Sequence, residues 1–231
     1  MRTISVRTAV AACVLSLFAG GAAVAQDRPT SVLNALELRQ LVERAEPADH
    51  ARLSAHFGAL AERYATEAQQ HERMAQASNG QAGKSSNAGL TAHCRSLAKF
   101  DHELEKGARA LATFHTGRAA GASVAAPANA RGIESGVGAA KPTDQELADF
   151  AVKAVATKDH RALADYFTTL AGRYSADADG HQAMSAWYGS SNSRLAGMVP
   201  HCDRLAKTAR AAAKEARTAA AMHTQLLTTM R

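Results

Sequence analysis

The sequence is short of aromatic residues, which make up 5 % of it, with one Trp. It has five Pro and three Cys among 231 residues. It contains no glycine-rich nucleotide loop, no Gly-x-Ser-x-Gly and no Cys-x-x-Cys. The fingerprints of nucleotide binding, serine hydrolysis and thiol redox chemistry are therefore missing. No basic stripe with interleaved aromatics is present, which argues against a nucleic-acid partner. No apolar run is long enough for a membrane span. What remains is an Ala-dominated chain, 46 % hydrophobic and 21 % charged, with a net charge of +6. That balance excludes wholesale disorder and favours helix over sheet. The length allows one or two compact domains.

Residues 1–25 have the three parts of a secretory signal peptide. Arg2 and Arg7 form a positive start, an apolar run rich in small residues follows, and Ala23-Val24-Ala25 supplies a small-x-small cleavage site before Gln26. The expected location is periplasmic or secreted. Removing Arg2, Arg7 and Cys13 leaves 25 basic side chains against 21 acidic ones, net +4, and two cysteines. An exported chain can hold those two as a disulfide.

The rest of the chain repeats itself. Residues 49–74 and 159–184 share eleven of 26 positions at an offset of 110. Residues 93–115 and 201–223 share ten of 23 at an offset of 108. The organisation that follows is a first repeat over 26–119, a Gly/Ala/Ser-rich linker over 120–142 and a second repeat over 143–231. Each repeat reads as a short helix followed by a helical hairpin. The short helices are expected at 32–46 and 144–156, the second opened by a capping box of Thr143 and Glu146. The hairpin helices are expected at 48–77 and 91–118, and at 158–186 and 200–228. The fold class is all-α, packed as one bundle or as tandem bundles.

Eight of the ten histidines fall into equivalent pairs: His50 and His160, His71 and His181, His93 and His201, His115 and His223. Cys94 matches Cys202, and Met74 matches Met184. Only His56 and His102 lack a histidine counterpart. On the long helix, His50, Leu53, Phe57, Leu60, Tyr64, Glu67, His71 and Met74 share one face by helical spacing, so these histidines point inward. His50 and His71 are 21 residues apart, about 31 Å along a helix, so they cannot share one ion. An antiparallel hairpin brings His50 to His115 at one end. At the loop end it brings His71 and Met74 to His93 and Cys94, with Glu67 one turn behind as ligand or orienting acceptor. The second repeat offers His160 with His223, and His181, Met184, His201 and Cys202 with Asp177.

Imidazole, thiolate and thioether together suit copper, or zinc without the thioether. The leading expectation is thus an exported protein that binds copper or zinc. A second reading is a cofactor-free helical interaction module for a protein partner, with Cys94 and Cys202 joined across a pseudo-twofold axis. A third is non-covalent haem between inward imidazoles, although the seam offers few large apolar residues to wall a porphyrin. Enzymatic activity is the less favoured expectation: Glu67 and His71 could form an acid–base pair, but no nucleophile stands at a known spacing from a base. Arg63-Tyr64 and Arg173-Tyr174 are expected to be structural, as Arg–carboxylate pairs and packed tyrosines.

Overall fold

The computed structural model describes residues 32–79, 85–120, 153–155, 159–191 and 195–229. The signal peptide, the linker, the Thr143–Glu146 capping box and most of the second short helix lie outside them. Among the described residues the fold is all-α, with no strand. Its main helices are α1 (Ala35–Arg44), α2 (Pro47–Asn79), α3 (Ser85–Ala119), α4 (His160–Ser191) and α5 (Val199–Thr229). A 3-10 turn, Ala196–Met198, leads into α5.

Local chemistry sets the helix ends. The Asn34 side chain accepts the Glu37 N–H, and the Glu37 carboxylate accepts the Asn34 N–H, both at 3.0 Å. This closes a capping box on α1. Ala45 ends α1 in the left-handed region, with φ of 51°, and donates its N–H to the Leu41 carbonyl at 2.9 Å. Pro47 then opens α2, where a missing N–H costs nothing. Pro200 lies in the first turn of α5 as its spacing predicts. Helices α2, α3 and α5 run past the expected limits at both ends, and α4 does so at its C-terminal end. In particular, α3 starts six residues early, at Ser85.

Helices α2 and α3 form one antiparallel hairpin, and α4 and α5 the other. The hairpins meet along two seams of different character. Between α3 and α5 the approach is close. A Cβ on Gly107 would lie 2.5 Å from Leu205 Cδ2, and α5 buries Ala209, Ala212, Ala213, Ala216, Ala219 and Ala220. Between α2 and α4 long side chains span the gap. Arg63 donates to Asp177 and Arg173 donates to Glu67, each at 2.5 Å. These four residues are equivalent in pairs at the offset of 110, so the seam carries the same ion pair twice. Tyr64 donates to Asp177 at 3.0 Å. Tyr64, Tyr174 and Tyr188, with Phe57 and Phe167, are the largest fully buried side chains of the core. The structural roles expected for Arg63-Tyr64 and Arg173-Tyr174 are those observed.

Removing one partner of such a pair strands the other. Asp177→Ala leaves Arg63 and Tyr64 without their acceptor, and we expect it to cost about 3 kcal/mol. Urea unfolding at pH 7.5 checks this. The double variant Arg63→Ala with Asp177→Ala should lose less than the two single losses added together.

Candidate functional site

The antiparallel hairpins bring together the end histidines that the spacing paired. His50 and His115 meet with Nδ1 atoms 2.9 Å apart, and His160 and His223 with Nδ1 atoms 3.0 Å apart. The two arrangements match in detail. The ring centroids are 5.1 and 5.2 Å apart, at interplanar angles of 28° and 25°. Phe57 stacks on His115 at 5.7 Å, and Phe167 stacks on His223 at 5.8 Å. Burial, reinforced by His50 and Arg118, pushes His115 down to about 3. Burial, reinforced by His160 and His93, pushes His223 down to about 4. His50 is lowered as well, first by burial and then by Arg118. These three imidazoles are therefore neutral at pH 7 and keep a lone pair on one ring nitrogen.

Because α2 and α4 run antiparallel, the two pairs do not meet across the interface. His115 sits level with Tyr188, whose hydroxyl lies 2.8 Å from His115 Nε2. His160 is 28 residues earlier on the same helix, roughly 40 Å away at the usual rise.

The mixed clusters expected at the loop ends are not assembled. His71 Nδ1 lies 2.7 Å from Asp101 Oδ2, and its Nε2 lies 3.1 Å from the Tyr166 hydroxyl. Tyr174 donates to the other Asp101 oxygen, and Gln70 donates to Tyr166 at 3.2 Å. Asp101 lies seven residues past Cys94, about 10 Å along the axis, so His71 is committed away from Cys94. His93 turns to α5, with Nδ1 2.7 Å from Glu215 Oε1. His201 is half-buried near the start of α5. Met74 and Met184 are fully buried core residues. Glu67 and Asp177 serve Arg173 and Arg63 rather than His71 and His181.

Cys94 and Cys202 are free, buried thiols. Helices α3 and α5 are antiparallel, with His93 opposite Glu215 and Gly107 beside Leu205. In that register the two cysteines are about 20 Å apart along the axis, far beyond the reach of a disulfide. They are not thiolates either, because burial pushes both up to about 12. The early start of α3 removes Cys94 from the first turn, where the helix dipole would have favoured the anion. Among the described residues, no three of His, Cys, Asp and Glu gather as a metal-binding group. No helix among them is long and apolar enough to cross a membrane. A cavity of about 190 Å³ opens between the halves beside Arg63, Glu67, Gln70, Tyr166 and Arg173. It is smaller than the roughly 300–1,000 Å³ of ordinary cofactor sites.

The partners that the sequence reading missed are Tyr166, Asp101 and Tyr188. Their signal was present as departures from the repeat. Tyr166 stands where the other half has His56, Asp101 where it has Ala209, and Tyr188 where it has Ser78. The consequence falls on the second half. Both ring nitrogens of His181 are buried without a partner, and so is Nε2 of His223. His56, whose Nδ1 accepts the Leu33 N–H at 3.1 Å, is pushed down to about 4 by burial and then by His181. The chain matches no family model, no curated protein and no solved structure.

His181, like His56, is pushed down to about 4 by burial, with Asp177 opposing and Arg63 assisting. The unfolded chain binds these protons near the ordinary histidine value of about 6.5. Between pH 6.5 and 4 the unfolded state therefore holds more protons than the folded one. The stabilising contribution is intact above pH 6.5 and is lost as pH falls toward 4, by about 3 kcal/mol per histidine. Urea titrations of His181→Leu should show a shallower acid limb, with stability at pH 7.5 equal to or above the parent. The matched His71→Leu should lose about 3 kcal/mol at pH 7.5, because it strands Asp101 and Tyr166.

Proposed function

We propose that the chain is an exported helical protein that binds metal through paired imidazoles, with copper as the preferred ion. The observation that carries this reading is the approach of Nδ1 atoms at 2.9 and 3.0 Å in both halves, each pair backed by a stacked phenylalanine. Imidazole binds metal through the lone pair of its neutral form. Zinc asks for four ligands, or three and water. Two facing imidazoles instead suit monovalent copper, which is stable with two ligands in line. A metal–imidazole bond is about 2 Å, so a linear unit spans about 4 Å and the rings must part by about 1 Å to admit the ion.

The second reading is a cofactor-free interaction module. It is favoured by the same distances taken as Nδ1–H···Nδ1 hydrogen bonds. Haem has only the inward imidazoles in its favour.

Elemental analysis of the mature chain, purified from the exported fraction without chelators, separates the three. The expected result is copper, and its loss in the His50→Ala, His160→Ala double variant while circular dichroism stays helical. A folded protein that holds no metal and takes up neither copper nor zinc overturns the proposal in favour of the cofactor-free module. Iron with an intense near-ultraviolet band would overturn it in favour of haem.

A further inference from the structure

The two histidine pairs match in their rings and differ in what surrounds them. Tyr188 reaches from α4 to His115 Nε2 at 2.8 Å. A phenol is a better donor than acceptor, and at its ordinary value of about 10 it is protonated at pH 7. Its O–H therefore donates to Nε2, which places the single proton of neutral His115 on Nδ1. That proton is donated to His50 Nδ1, 2.9 Å away. The chain Tyr188 to His115 to His50 uses both Nδ1 atoms, one as donor and one as acceptor. Neither is left as a free lone pair for a metal.

The second pair has no such chain. The position equivalent to Tyr188 is Ser78, whose hydroxyl is engaged with Thr91 Oγ1 at 2.6 Å and the Ala75 carbonyl at 3.1 Å. His223 Nε2 is buried and unpartnered, so no outside donor fixes a proton on Nδ1. Two further differences point the same way. Arg118 stands three residues past His115 on α3, and its guanidinium sits 5.3 Å from the ring of Phe114, which itself packs edge-on to His115 at 5.1 Å. The equivalent position in the second half is Leu226, which is neutral. Among the described residues, the permanent positive charge of Arg118 therefore opposes a metal cation at the first pair and has no equivalent at the second. His50 is buried, whereas His160 is half-buried and gives the second pair a way in from solvent.

We infer that the His160–His223 pair is the metal-binding member, and that Tyr188 holds the His50–His115 pair in a hydrogen-bonded, metal-free form. This rests on the metal reading above and adds which site fills and which residue decides it. Tyr188 is a positioning residue: it acts on the metal through the His115 proton.

The test is an anaerobic titration of the mature chain with monovalent copper against a chromophoric chelator. It is paired with nitrogen-15 spectra that report which ring nitrogen of His115 carries its proton. The expected result is one tight equivalent, lost in His160→Ala, with the His115 proton on Nδ1 in the copper-free protein. Tyr188→Phe should leave the first equivalent alone and tighten a second by about tenfold, the worth of one neutral hydrogen bond. Two equal equivalents in the parent, or one that survives His160→Ala, overturn the inference and leave the metal reading standing. A His115 proton on Nε2 overturns the assigned role of Tyr188. No copper uptake by the parent or by Tyr188→Phe overturns the metal reading and the inference together.

Discussion

The reciprocal ion pairs between α2 and α4 are the constraint from which the rest of the arrangement follows. Arg63 with Asp177, and Arg173 with Glu67, tie the hairpins together at the seam, although burial pushes Glu67 up to about 8 against the pull of Arg173 and Arg63. Burial works against the Arg63 charge, but Asp177, Tyr64 and Glu67 outweigh it. A charge removed from water needs a partner nearby, so sliding one hairpin along the other by a turn would strand both arginines and their carboxyl partners at once. The register is therefore fixed. With it fixed, Tyr166 falls on His71, Tyr188 falls on His115, and the two histidine pairs lie at opposite ends of the bundle.

Within that frame the chemistry resides in departures from the repeat. The first half surrounds its inward histidines with donors and acceptors: Asp101 and Tyr166 for His71, and Tyr188 for His115. Two of those three come from α4, across the interface. The return contributions from α2 are His56 and Ser78, which are shorter and are spent on Leu33 and Thr91. Helix α5 has Ala209 where α3 has Asp101. The second half is thus left with unpaired imidazole nitrogens at His181 and His223. Arg63 Nε and Glu67 Oε2 are also buried without a partner, at the α2–α4 seam, so what sets the second half apart is that its unpaired atoms are imidazole nitrogens.

Much of the fold was legible in the residues. Alanine abundance, helical spacing of the apolar positions and Pro200 at a helix start gave the helices and their inward faces. The antiparallel hairpin then paired His50 with His115 and His160 with His223, because a short loop admits only a narrow range of pairings at the open end. The loop-end clusters failed for a matching reason. Helix α3 begins six residues earlier than the spacing suggested, and Cys94 sits a turn and more inside it. The acceptor that His71 takes is Asp101, two turns further along α3, not Glu67 one turn behind it. A one-dimensional reading treats residues on one face as neighbours. It does not say which of two neighbours a ring will turn toward.

The sequence by itself determined the helical class, the hairpin pairing and the inward histidines, because each depends on residues a few positions apart or on one short connection. The tertiary structure decided the rest. It separated Cys94 from Cys202, gave Glu67 and Asp177 to arginines, and set tyrosines from one half on histidines of the other. Those outcomes depend on how two hairpins, whose touching tyrosines and histidines lie 73 and 95 residues apart in the chain, slide against each other. The buried charges of the α2–α4 seam settle that register, and no local pattern encodes it.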